Sequence, residues 1–265
     1  MQKQNQSSSV VFSCEDLSKE FPTRENNLAA LQNLTFSVSQ GEFVCVVGPS
    51  GCGKSTLLRI MAGLIQKTSG EIWYEKMTTP RPRTAMVFQG QGLFPWMNVL
   101  DNVAFGLEMQ GVNKKTRYEQ ALGLLEKVGL KDFPYAFPHT LSGGMRQRVA
   151  ILRAFLADPE ILLMDEPFGM LDAQTRFVMQ EELLNIWQER QHTVVYITHD
   201  IEEAIFLGDR ILVMSGRPGR ILANIPIDFP RPRERHGMMG KVTEISLRIW
   251  DMLRDEVARD LRVAL

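Results

Sequence analysis

Gly48-Pro49-Ser50-Gly51-Cys52-Gly53-Lys54-Ser55-Thr56 lies between the apolar run Phe43-Val44-Cys45-Val46-Val47 and the helix-like Leu57-Leu58-Arg59-Ile60-Met61-Ala62. The order strand, glycine loop, helix points to an α/β fold. Residues without a Cβ let several backbone N–H groups converge on one anion at the positive end of a helix, so the loop is shaped for phosphate. Lys54 is placed to reach the β and γ phosphates of a nucleotide, the Ser55 hydroxyl to ligate Mg2+ bound to that nucleotide, and Thr56 to play a secondary part. An ordinary glycine turn would need neither the lysine nor the flanking strand and helix.

Outward from this loop the chain is globular in composition. With 265 residues, 44% hydrophobic and 23% charged, it can bury a sizeable core. A net charge of −1 gives no electrostatic reason to expect nucleic acid or an anionic lipid surface as partner. The three cysteines, Cys14, Cys45 and Cys52, show no CxxC pair and no zinc spacing, which fits a reducing cytosol. Residues 1–9 are polar and read as a loose tail. No run approaches the roughly 18 apolar residues of a membrane span.

Upstream, Val10 to Leu17 and Leu34 to Val38 read as strands of a small antiparallel layer, with Pro22 to Asn27 as the turn-rich segment between them. Phe21, at the edge of that layer, is open to two readings, core or a ring that stacks on adenine. Downstream, Gly70 to Tyr74 reads as a strand and Thr84 to Phe88 as a buried one ending at Gln89. The loop Gly90-Gln91-Gly92-Leu93-Phe94-Pro95-Trp96 carries large apolar side chains, either as packing or as a partner-binding surface. From Val99 to Leu156 the pattern is helical, interrupted by the proline-marked link Leu130 to His139.

A second anion-binding arrangement follows. Leu141-Ser142-Gly143-Gly144-Met145-Arg146-Gln147-Arg148 leads into an apolar helix, and a helix cap explains Ser142 but not the pair Gly143 and Gly144. Ile161-Leu162-Leu163-Met164 is a continuous apolar run typical of a central parallel strand, ending in Asp165-Glu166-Pro167. Carboxylates at the carboxyl end of such a strand sit where ligands bind in open α/β sheets; Asp165 is read as holding Mg2+ through water and Glu166 as polarising the attacking water. Gly169-Met170-Leu171-Asp172 opens a helix through Gln188, and the strand Thr193 to Thr198 delivers His199. A neutral His199 imidazole there can hydrogen-bond a γ-phosphate or the water attacking it, whereas His139, His192 and His236 read as solvated loop residues. Asp209 to Ser215 and Arg220 to Ile225 form a hairpin around Gly216-Arg217-Pro218-Gly219, Pro226 to Arg235 is linker-like, and Lys241 to Leu265 is an amphipathic helix with Ile245, Leu247, Ile249, Trp250, Leu253 and Val257 as its apolar members.

Together these motifs, in this order over residues 10–225, resemble the ATP-binding subunit of an ATP-binding-cassette (ABC) transporter, whose signature sequence residues 141–148 match. The resemblance implies a P-loop NTPase core with a small antiparallel β-layer and an inserted helical subdomain at about residues 95–157; residues 226–265 then form a linker and C-terminal helix. It implies ATP and Mg2+ as cofactors, with Phe21 as the adenine-stacking residue, Gln89 as a sensor of Mg2+ and γ-phosphate, Asp172 in the inter-subunit loop and His199 as the switch histidine. The family works as a head-to-tail pair in which Ser142, Gly143 and Gly144 of one subunit close on the nucleotide held by the other's residues 48–56. Gly169 and Met170 depart from the small or serine residues usual in that family. Gly92 to Trp96 and Arg217 to Ile221 resemble importers of nitrate, sulfonate, taurine and bicarbonate, which implies membrane permease subunits, a second ATPase subunit, a solute-binding protein acting indirectly, and a peripheral location on the cytoplasmic face of the cell membrane.

An exporter or lipid-handling ATPase and a soluble cassette ATPase are the competing readings. The single cassette and the lack of a coiled coil or zinc insert weigh against ribosomal or DNA-repair roles. A GTPase would need Asn-Lys-x-Asp, and Asn113-Lys114-Lys115-Thr116 lacks the final Asp.

Overall fold

The structure, a computed structural model, describes residues 9–24, 26–76, 81–90, 92–233 and 235–263, so the tail read at residues 1–9 lies outside it save for Ser9. The chain divides into two compact units, Met1–Lys76 with His199–Leu265, and Met77–Thr198.

The first unit opens with β1 (Val10–Pro22) and β2 (Asn27–Ser39), an antiparallel pair that runs from Pro22 opposite Asn27 and Phe21 opposite Leu28, with register shifts further along, as between Lys19 and Glu20 and between Cys14 and Leu17. Phe12, Cys14 and Leu17 from one strand and Leu31, Leu34 and Val38 from the other are buried, as expected of a sheet with one face on the core. The apolar run before the glycine loop is β3 (Phe43–Val47), buried at every residue, and the loop leads into α1 (Lys54–Met61). The predicted strand at 70–74 is β4 (Ser69–Tyr74); it pairs antiparallel with β1 and completes the small layer.

The second unit holds β5 (Thr84–Val87), α2 (Val99–Met109), α3 (Lys114–Lys127), a 3-10 turn at Pro138–Thr140, α4 (Gly143–Leu156), β6 (Ile161–Asp165), α5 (Ala173–Arg190) and β7 (Thr193–Ile197). β5, β6 and β7 are parallel, and β6 and β7 are buried throughout. The segment from Thr84 to Phe88, read as buried, is only half so. β5 lies at the edge, and Phe88 is 42% exposed. Asn98 and Asn113 cap α2 and α3 by accepting from the N–H groups of Asp101 and Thr116. The irregular link before α4 supplies acceptors for α2 as well: Ala136 O and Pro134 O take the Val99 and Leu100 N–H groups at 2.9 Å.

The first unit resumes with α6 (Ile201–Leu207), β8 (Arg210–Met214), β9 (Ile221–Pro226) and α7 (Arg235–Val263). β8 is parallel to β3 and forms the predicted hairpin with β9. The stretch that reads as a linker is docked: Arg231 donates to Asp209 Oδ1 and to Leu207 O, and Arg233 is buried. α7 packs on α6 with Ile249 and Leu253 inward, while Leu247 and Trp250, read as members of the same face, are exposed. The Val257 side chain lies outside the described part. Among the described residues no helix is long and apolar enough to cross a membrane.

Candidate functional site

Three glycines of the loop after β3 are required, Gly48 by close contact, Gly51 by backbone conformation and Gly53 by both. A Cβ on Gly48 would come within 2.8 Å of Met214 O, and one on Gly53 within 2.7 Å of Ala30 O. Gly51 has φ +77° and Gly53 φ +106°, conformations that side chains disfavour. Gly53 is also the N-cap of α1 and brings no side chain to occupy the first N–H groups of that helix. Pro49 is half-buried, Ser50 is exposed, Cys52 is buried, and Ser55 and Thr56 are half-buried on the first turn. Lys54, read from the sequence as a phosphate-facing cation, is 5% exposed and turned onto its own loop, with Nζ donating to Gly48 O and Pro49 O at 2.8 Å each. A phosphate would compete with those carbonyls for the ammonium.

In the same unit Phe21 is half-buried, with Lys19 Nζ 4.8 Å from its ring centroid. His199 is exposed two residues beyond β7, and Asp200 beside it caps α6, accepting from the Glu203 N–H at 3.1 Å. Arg233 closes the far end of that short helix by donating to Ile205 O, Phe206 O and Gly208 O at 3.1, 2.9 and 2.7 Å. Burial pulls its guanidinium down to about 10.

In the second unit Gln89, exposed, follows the end of β5, where Val87 pairs with Met164, so it emerges beside the end of β6. Asp165 is 6% exposed at that end. Glu166 holds φ +43°, a costly conformation for a residue with a side chain, and its N–H donates to Ile197 O at 3.0 Å. Gly169 is not forced: a methyl there would meet Glu166 atoms at 3.5 Å or more, and Met170 is 70% exposed. The departure from the family pattern therefore creates no clash.

Ser142 caps α4, its Oγ accepting from the Met145 N–H at 3.3 Å, and Gly143 opens the helix. A Cβ on Gly144 would lie 3.4 Å from the Thr175 methyl, and the Thr175 N–H in turn donates to Asp172 Oδ1 at 3.0 Å. The start of α4 at Gly144 thus lies beside the start of α5 at Thr175, whose hydrogen bond holds the Asp172 carboxyl below its usual range. A two-pronged Arg148–Glu182 pair, 2.9 and 3.0 Å, joins α4 to α5 behind them.

The apolar loop after Gln89 divides its side chains; Gln91 lies outside the described residues. Trp96 is 69% exposed, while Phe94 is half-buried, edge-on to Phe105 and under the Arg153 guanidinium at 5.1 Å. Arg153 also donates to Gly92 O at 3.0 Å, and burial lowers its pKa. Beneath the loop, Asn102 is fully buried. Sequence reading missed Asn102, Arg153 and Arg233. A lone Asn among Val99, Leu100, Val103 and Ala104 was the one available signal for the first. His192, read as solvated, is buried against Phe155 with Nε2 2.9 Å from Asp158 Oδ1; His236 lies in the first turn of α7 rather than in a loop.

A family model described as "ABC transporter" matches residues 31–169. The chain is 49% identical over 221 residues to the nitrate import ATP-binding protein NrtD of Synechocystis, covering 83% of each chain. It is 45% identical over 229 residues to the aliphatic sulfonates import ATP-binding protein SsuB of Bacillus cereus, covering 86% of this chain and 90% of that one. A dimeric post-hydrolysis structure of the ATP-binding cassette MJ0796, bound to ADP and Pi, superimposes with TM-score 0.73 at 32% identity over 83% of this chain and all of that one.

Proposed function

Because the chain belongs to the ABC transporter family and is an ATPase coupled to transport, we propose that it powers import of a small anion, nitrate or an organic sulfonate such as taurine, through partner permease subunits. The observation that carries import and solute class is the 45–49% identity to relatives named as nitrate and aliphatic sulfonate import proteins, over more than four fifths of each chain. In this reading residues 10–225 are the cassette, residues 95–157 its helical subdomain, and the subunit sits peripherally on the cytoplasmic face of the cell membrane.

Each site residue then has a task. Phe21 stacks on adenine, and the loop Gly48 to Thr56 receives the phosphates on its backbone N–H groups, those of every residue but Pro49, with Lys54 exchanging loop carbonyls for phosphate oxygens. Among the described residues no cluster of three or more His, Cys, Asp or Glu could cage a metal ion. Mg2+ would arrive with the nucleotide, and the residues assigned to it are the Ser55 hydroxyl, Gln89 and, through water, the Asp165 carboxylate. Bound Mg2+ would neutralise charge developing on the phosphates. Glu166 polarises the attacking water, and His199 hydrogen-bonds the γ-phosphate. Ser142, Gly143, Gly144 and Asp172 act across a head-to-tail pair, a second copy of this chain or a homologue, so ATP favours the closed pair and hydrolysis releases it. The segment Gln89 to Trp96 receives a short helix from each permease subunit.

The test is reconstitution of the subunit with its permease in vesicles. ATPase activity should rise when a solute-binding protein loaded with nitrate or a sulfonate is present on the opposite face. Activity that no such protein stimulates would overturn the importer reading.

A further inference from the structure

The Gly216-Arg217-Pro218-Gly219 turn between β8 and β9 lies against the glycine loop after β3. We infer that Arg217 and Gly219 are positioning residues for that loop, and that α7 holds them in place through Glu256.

Arg217 Nε and Nη2 both donate to Gly51 O, at 3.2 and 3.1 Å. In a planar trans peptide the C=O and N–H point in opposite directions. Fixing the Gly51 carbonyl toward Arg217 therefore points the Cys52 N–H, in the same plane, away from Arg217. There it makes a long bond, 3.4 Å, to Pro49 O within the loop, one that a phosphate oxygen can replace. The next peptide plane is set by contact. A Cβ at position 219 would come within 2.2 Å of Cys52 O, so Gly219 is the wall on which that carbonyl rests, and the Gly53 N–H is turned away from it. Two consecutive N–H groups of the phosphate cradle thus take their direction from one turn.

The turn is itself anchored. Gly219 donates to Ala30 O at 3.0 Å and accepts from the Gln32 N–H at 2.9 Å, while the Arg220 guanidinium holds Gln32 Oε1. At its other end the Gly216 N–H donates to Glu256 Oε2 at 3.0 Å. The contacts run Glu256, Gly216, Arg217, Gly51, from the C-terminal helix to the loop. Glu256, Gly216 and Arg217 carry no assigned part in the chemistry, so the turn is assigned to nucleotide affinity and not to the hydrolytic step.

The inference rests on the reading of residues 48–56 as the phosphate loop. It is tested on the full-length subunit by titrating a fluorescent ATP analogue and by measuring KM, kcat and Tm for Arg217→Ala, Arg217→Lys and Glu256→Ala, beside Lys54→Ala. Loss of a charge-assisted fork should raise Kd and KM about tenfold in Arg217→Ala. kcat should stay within about twofold, because the turn contributes to binding alone. Arg217→Lys should recover part of the affinity. Glu256→Ala should raise Kd in the same direction, and the double variant should show less than the product of the two single effects. Unchanged affinity in Arg217→Ala while Lys54→Ala fails to bind would sink the inference alone. Unchanged affinity in Lys54→Ala would sink the phosphate-loop reading and the inference with it. A parallel fall in Tm and kcat in Arg217→Ala would mark the turn as merely structural and overturn the assignment.

Discussion

Asn102 holds Phe94 by both backbone groups: its Oδ1 accepts from the Phe94 N–H at 2.9 Å and its Nδ2 donates to Phe94 O at 3.1 Å. The same amide reaches Met97 O and Asn98 O at 3.0 Å, all in a fully buried position. One side chain therefore stands in for secondary structure across the loop that follows Gln89. Asn102→Leu, similar in volume, strands those groups without partners and should cost about 3 kcal/mol. Urea unfolding reads this directly, and a loss near zero would mean that water satisfies the loop equally well.

Phe94 and Trp96 should behave differently although they are two residues apart. Trp96 is mostly exposed, so Trp96→Ala should leave stability within about 0.5 kcal/mol and spare basal ATPase activity, yet weaken association with the permease. Phe94, wedged between Phe105 and Arg153, should cost about 2 kcal/mol when cut to Ala. Equal thermal destabilisation by both substitutions would remove Trp96 from the docking surface.

Glu166→Gln keeps the shape of a side chain held at a strained φ and removes only its charge. It should bind ATP, hydrolyse it very slowly and accumulate a closed dimer visible by size-exclusion chromatography. Lys54→Ala should bind no ATP. Undiminished turnover in Glu166→Gln would move the water-activating role to another group.

Ser142→Arg should bind ATP as a monomer and fail to hydrolyse it, because the residue acts on a partner's nucleotide. Mixing it with Lys54→Ala subunits should recover activity worth about one site, since such a pair holds one intact composite site. Sites complete within a single chain would give no recovery.

Burial holds the His192 imidazole below its ordinary 6.5, opposed by its contact with Asp158. The unfolded chain thus takes up this proton more readily than the folded one. Stability from the neutral buried ring is present above about pH 6.5 and is lost as pH falls through the lower folded value. The stability gap between wild type and His192→Gln should narrow from about pH 7.5 to about pH 5.5 in urea titrations. A gap that widens on acidification would mean that the Asp158 contact outweighs burial.

The sequence by itself determined the elements whose causes lie within a few residues. The glycine loop, the cap at Ser142, the helix start after Asp172, and the apolar runs of β6 and β7 are local patterns, and each was legible along with the residues placed at their ends. Tertiary structure alone decided the rest. Arg153 finds Gly92 O across 61 residues, Arg217 finds Gly51 O across 166, and Arg233 the end of α6 across 25 to 28. The acceptor in every one of these bonds is a backbone carbonyl, which is the same chemical group at each position. A sequence names the donor, but only the folded chain brings one particular carbonyl within its reach. For the same reason the proline-rich stretch before α7 reads as a linker and is docked, and Lys54 reads as a cation awaiting phosphate and is already bonded to its own loop.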